Sequence, residues 1–118
     1  MLKISGNKIS LTRGDSAYIT ITPYTGEGPN RQPYELNDGD TIRAQIRTAP
    51  NIGEIVAVGN ILYEEDGTIV WYLQPSDTKD LPVKKYYYDV ELDVANGDVF
   101  TFITSSPFTL TDEVTMDD

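Results

Sequence analysis

Asp89 and Glu91 are the two residues whose type and spacing come nearest to a catalytic pair. They sit two apart in a run where Tyr86, Tyr88, Val90, Leu92 and Val94 are apolar and Asp89, Glu91 and Asp93 are acidic. Two carboxylates could serve as the acid and base of glycoside cleavage, which needs a separation of roughly 5–9.5 Å across a cleft that holds a sugar. Residues two apart on a strand meet the distance trivially. A period of two, however, is the mark of a strand with one buried and one wet face, and no neighbouring residue types would raise a carboxyl pKa. The chain has no histidine and no cysteine, which removes the imidazole base, the zinc-binding imidazole and the thiolate. The expectation is a non-enzymatic protein with no cofactor.

Other acidic groups fall at turns: Asp38 and Asp40, the run Glu64-Glu65-Asp66, Asp77 and Asp80, and Asp112-Glu113. Calcium needs about six to eight oxygen ligands, and only Asn37-Asp38-Gly39-Asp40 approaches the alternating spacing of a calcium loop. Solvated turn carboxylates are the better reading, so no metal is expected. Arg13-Gly14-Asp15-Ser16 matches the integrin-recognition tetrapeptide, but a four-residue match at a strand junction reads as a turn.

Trp71-Tyr72 and Tyr86-Tyr87-Tyr88 offer the material for an aromatic platform that could take a carbohydrate. Alternation buries Trp71, Tyr86 and Tyr88 and leaves Tyr72 and Tyr87 facing out. Tyrosine is enriched at protein interfaces, so Tyr72 and Tyr87 are candidate interface residues, together with Val99 and Ile103 for the reason given below.

The elements that would hold these residues are strands. At 118 residues and 39% hydrophobic content the chain is long enough for one domain with a packed core. Its net charge of −10 repels a phosphate backbone, so no nucleic acid is expected as partner. No apolar run reaches membrane-spanning length, and the polar Ser5-Gly6-Asn7-Lys8 after Met1 argues against a signal peptide. Ile9 and Leu11, then Ala17, Ile19 and Ile21, face inward from two runs interrupted by Gly14, which reads as a bulge or a jump between sheets. Residues 23–33 form an exposed turn-rich loop. Asn37-Asp38-Gly39 marks a tight turn. Ile42, Ala44 and Ile46 point in from the next strand, and Gly59-Asn60 marks a bulge or bend. Glu65-Asp66-Gly67 closes a hairpin that sets Ile61 and Tyr63 opposite Trp71 and Ile69. Residues 76–81 are the one helical segment, with Ser76 or Asp77 as cap, Leu81 as a plug into the core and Pro82 as its end. Residues 112–118 form an acidic tail. About eight strands with tight turns point to an antiparallel β-sandwich of immunoglobulin-like type.

The turn after the acidic strand has two readings. A two-residue turn at Asn96-Gly97 opposes Val94 to Val99 and points Phe100 and Phe102 to the wet face. A three-residue turn at Ala95-Asn96-Gly97 with a glycine bulge opposes Leu92 to Phe100 and Val90 to Phe102. The second is favoured because burying a phenylalanine contributes roughly 1.5–3 kcal/mol. It expects both phenylalanines in the core and Val99 and Ile103 on the outer face.

The Gly14-Asp15 turn, the 41–47 strand, the 77–82 crossover and the 86–103 hairpin together resemble the small β-sandwich of virion proteins in tailed phages and prophages of Gram-positive bacteria. The likeness is to the N-terminal domain of the upper baseplate protein of lactococcal phages, and it spans almost the whole chain. The resemblance implies a virion structural protein, made in the host cytoplasm, that docks to other phage structural proteins and to copies of itself. No long helical or fibre region follows Thr115, which widens the expectation to a baseplate, tail, neck or head appendage. A carbohydrate- or receptor-binding sandwich is the alternative.

Overall fold

The computed structural model describes residues 2–25, 29 and 31–112. Eleven strands and one helical turn occur among them: β1 Leu2–Ser5, β2 Lys8–Thr12, β3 Ala17–Ile21, β4 Tyr24–Thr25, β5 Gln32–Pro33, β6 Thr41–Arg47, β7 Ile55–Ala57, β8 Asn60–Tyr63, β9 Ile69–Leu73, α1 Pro75–Thr78, β10 Lys85–Asp93 and β11 Val99–Thr111. They form a β-sandwich. A six-stranded sheet runs β1-β2-β11-β10-β6-β7, a three-stranded sheet runs β3-β9-β8, and β4 pairs with β5 as a small ribbon. The orders β3-β9-β8 and β11-β10-β6-β7 are those of the two sheets of an immunoglobulin-type sandwich.

The alternating runs become the two inner faces. Ile9, Leu11, Ile42, Ala44, Ile46, Tyr86, Tyr88, Val90, Leu92, Phe108 and Leu110 line one; Ala17, Ile19, Ile21, Ile69, Trp71 and Leu73 line the other. Trp71 is fully buried between them, with ring centroids 5.6 Å from Tyr88 and 6.1 Å from Phe108. Each polar tip in this cluster has a partner, as burial demands. The Trp71 indole N–H donates to the Val58 carbonyl oxygen at 2.9 Å, and the Tyr88 hydroxyl to that of Asn7 at 2.6 Å. Burial pushes the Tyr88 phenol up to about 12.

Besides the path from β3 through the β4–β5 ribbon to β6, three connections carry the chain between the two main sheets. Gly14, in the left-handed region at φ 85°, lies where β2 hands over to β3, as expected. Gly59 (φ 62°) separates β7 of the large sheet from β8 of the small one, so the expected bulge or bend is a sheet switch. The third is the 74–84 crossover. Its helical turn covers residues 75–78 rather than 76–81, because Gln74 is the cap residue and the Asp77 carboxylate reaches back to accept from the Gln74 N–H at 2.7 Å. Leu81 is half-buried and packs against the core as expected. Thr78 is buried deeper, its hydroxyl accepting from the Gly14 N–H at 2.9 Å.

The expectation of about eight strands falls short. β1, β7 and the β4–β5 ribbon carry too few alternating apolar residues to stand out. The ends of the expected 23–33 loop pair as β4 and β5, Tyr24 with Pro33. One pairing is parallel, β2 with β11, within sheets otherwise antiparallel. Of the expected acidic tail, residues 113–118 lie outside the described residues.

The hairpin between β10 and β11 closes through Ala95-Asn96-Gly97. The Val94 N–H donates to the Asp98 carbonyl oxygen at 2.8 Å, Gly97 sits at φ 101°, and Leu92 opposes Phe100. The favoured turn is therefore present, but two of its consequences are not. Phe100 is 56% exposed. It lies on the core side of β11, yet among described residues β2 continues the sheet only beside 108–111, and the sheet beneath Phe100 is not covered. Register shifts on either side of Val90 then make Ile103, not Phe102, its partner. Phe102 and Ile103 both become half-buried against the core, so Ile103 is not an outer-face residue.

Candidate docking surfaces

The small sheet presents an outer face without charge. None of β3, β8 and β9 contains a charged residue, in a chain where 24% of residues are charged. Alternation puts Tyr18 and Thr20 of β3, Val70 and Tyr72 of β9, and Asn60 and Leu62 of β8 on that face, in the cross-strand rows Tyr18-Tyr72-Asn60 and Thr20-Val70-Leu62. The Tyr18 and Tyr72 rings stack, centroids 4.5 Å apart and planes 13° from parallel. Tyr18 is 62% exposed and shields Tyr72, which is half-buried. Hydrogen bonding with the Tyr18 hydroxyl, then burial, holds the Tyr72 phenol above its ordinary value. A flat uncharged face with rigid aromatic area suits contact with another macromolecule. Tyr18 was missed in the sequence, although the alternation of residues 17–21 already pointed it outward.

The other candidate residues do not join this face. Tyr87 lies on the outer side of the large sheet, half-buried between Arg47 and Pro107, with the Lys85 ammonium 5.5 Å from its ring centre. Val99 is 53% exposed beside Phe100 at the hairpin tip, at the far end of β10 from Tyr87. Tyr72, Tyr87 and Val99 thus mark three separate surfaces.

The carboxylates of β10 are spoken for. Arg43 pairs with Glu91 and Asp93, and the Arg47 Nε lies 3.3 Å from Asp89. Both arginines come from the neighbouring β6, where Arg43 stands directly opposite Glu91. Opposite charges across a ladder support the pairing, and each carboxylate meets a fixed cation rather than an open cleft.

A second acidic region surrounds an open cleft of about 760 Å³ lined by the 20–23, 33–40 and 63–69 segments. Asp40, buried at its wall, accepts from the Tyr34 hydroxyl at 2.8 Å, the Asn37 N–H at 2.9 Å and the Ala95 N–H at 3.0 Å. The Asn37 amide, the Tyr34 hydroxyl and the Ala95 amide hold its carboxyl below the ordinary value, and the same contact raises the Tyr34 phenol. Asp40 therefore ties the 34–39 turn to the β10–β11 turn. The segment that most resembled a calcium loop spends its buried carboxylate on these donors. Among the described residues no group of three or more acidic side chains could hold a metal ion, and no helix is long and apolar enough to cross a membrane. No protein-family model matches the chain, and no curated protein matches it.

Proposed function

We propose that this chain is a non-enzymatic structural module of a phage or prophage virion, a baseplate, tail or appendage protein, that docks to other particle proteins through the uncharged outer face of its small sheet. The observation that carries the docking is the stacked Tyr18–Tyr72 pair on a face with no charge, in a protein of net charge −10. The acidic parts of the surface repel a second body of like sign. On this face contact costs no unpaired charge and buries rigid aromatic area. The virion setting is supported by the resemblance of the 41–47 strand, the 77–82 crossover and the 86–103 hairpin to phage baseplate sandwiches.

The test is proteomic and genetic together. Particles purified from the encoding strain after prophage induction are expected to contain the chain. The double variant Tyr18→Ser, Tyr72→Ser should fold normally and be lost from them. Particles that never contain the chain, or that retain the double variant at wild-type level, would sink the proposal. The exposed ring of Tyr18 also favours a second reading, a surface that stacks on a carbohydrate. A glycan array probed with the same variant separates the two.

A further inference from the structure

The lysines Lys3, Lys8 and Lys85 converge on one groove of about 450 Å³, which Ile4, Pro107 and Thr109 also line. The groove crosses the outer side of β1, β2, β11 and β10, where Lys3 stands opposite Ser10 and Lys85 opposite Thr109. None of the three lysines forms an ion pair with a described residue. Arg43 and Arg47, by contrast, are neutralised on their own sheet. In an acidic chain this is a concentration of positive charge without an ion-pair partner among the described residues.

The complementary surface lies on the other sheet. The turn between β8 and β9 places Glu64, Glu65 and Asp66 in sequence, all exposed. Its shape is fixed by the Gly67 N–H donating to the Glu64 carbonyl oxygen at 3.0 Å and the Thr68 N–H to the Asp66 carboxylate at 2.9 Å. The Thr68 hydroxyl, and after it the Thr68 N–H, hold the Asp66 carboxyl below its ordinary value. Glu35 and Asp38 flank it across the open cleft. The turn leads into β9, whose far end joins through α1 to the start of β10 and Lys85. Groove and turn therefore lie toward opposite ends of the strands. They face opposite sides of the sandwich. One copy cannot satisfy both within itself.

We propose that copies of this chain associate head to tail, the 64–67 turn of one seated in the Lys3–Lys8–Lys85 groove of the next. Such a contact uses different patches on the two partners, so it propagates into a ring or an open row rather than a closed pair. Carboxylates meeting ammonium groups within the groove act inside the screening length of about 8 Å at about 0.15 M salt, whereas repulsion between the acidic bodies acts over longer distances and is damped. The inference extends the docking reading to a second surface, and the two fail separately because Tyr18 and Tyr72 are not part of either patch.

The experiment is sedimentation velocity on the full chain at about 0.15 M salt, over a wide concentration range, with circular dichroism as the folding control. Wild type is expected to self-associate, as is the Tyr18→Ser, Tyr72→Ser variant. The triple variant Lys3→Glu, Lys8→Glu, Lys85→Glu should weaken association about tenfold or more, as should Glu64→Lys, Glu65→Lys. The second variant makes the chain less acidic, so generic charge repulsion alone would predict the opposite result. Mixing the two variants should restore association, because each reversed patch then meets its complement. A wild type that stays monomeric throughout, a Glu64→Lys, Glu65→Lys variant that associates as well as wild type, or a mixture that stays monomeric would each overturn the proposal. So would a wild-type monomer that binds inorganic polyphosphate in the groove without self-associating.

Discussion

The Tyr86 hydroxyl donates to the Pro82 carbonyl oxygen at 2.7 Å, tying the first buried residue of β10 to the end of the crossover that precedes it. A tyrosine at this place, bonded a few residues upstream, is the corner that fixes the entry to the equivalent strand of immunoglobulin-type sandwiches. Burial raises the Tyr86 phenol above its ordinary value, so it remains a neutral donor. Tyr86→Phe keeps the buried ring and removes only the hydroxyl. The expected loss is about 1–2 kcal/mol, read as a lower urea midpoint with an unchanged slope. An unchanged midpoint would mean that the corner adds nothing to stability.

Gly59 allows the switch from β7 to β8 and cannot be replaced cheaply. A Cβ there would lie 2.6 Å from the Tyr72 carbonyl oxygen and 2.9 Å from the Trp71 indole nitrogen, on a backbone at φ 62°. Gly59→Ala is therefore expected to destabilise by about 1–3 kcal/mol, from strain in the left-handed region together with overpacking. It should also disturb the indole bond to Val58, which a shift of tryptophan fluorescence in the folded state would report. Equal stability and an unchanged emission maximum would remove Gly59 from this role.

Asp40 gives the protein an acid-sensitive brace. Its folded pKa lies below the ordinary value of 3.8, so its contribution is fully present above that value and disappears as pH falls through the lower, folded one. Thermal melts between neutral pH and about pH 2 should show stability declining across this window. Asp40→Asn should lower the neutral-pH melting temperature and flatten the acid part of the curve. A variant with the same acid slope as wild type would show that other carboxylates set it.

The patterns legible in the sequence were those set by neighbours along the chain. Alternation correctly placed Trp71, Tyr86, Tyr88, Ile42 and Ile46 inside, and the expected Ala95-Asn96-Gly97 turn is present although the full burial of Phe100 that favoured it is not. What lay beyond reach depended on distant segments. The parallel pairing of Phe108 with Ile9 joins opposite ends of the chain, and no local pattern encodes it. The Arg43–Glu91 ion pair needs the β6–β10 register. Ile103 turned inward because the strand slips against Val90, an irregularity without a sequence mark of its own. The outward placement of Tyr72 and Val99 was readable from alternation and turn type. The face around Tyr72 was not, since it takes its meaning from three strands being uncharged side by side.

Phe100 and Phe108 measure the difference between facing the core side of a sheet and being covered. Both belong to β11, and each stands opposite a buried residue of β10, Leu92 and Tyr86 respectively. Phe108 is fully buried, packed against Trp71 and Tyr88, whereas Phe100 is 56% exposed. Phe108→Ala should cost about 3–5 kcal/mol, the transfer of a whole ring plus the cavity it leaves. Phe100→Thr leaves no closed cavity and substitutes a good strand former, so its cost should be under about 1 kcal/mol. The same change removes an exposed aromatic from an uncharged strand whose outer edge pairs with β2 only beside 108–111. Such an edge invites pairing with another chain, so Phe100→Thr should also reduce aggregation on heating, followed by light scattering. A Phe100 variant as destabilised as the Phe108 one would mean that the tip of the hairpin is packed in solution, and that the sheet is covered there after all.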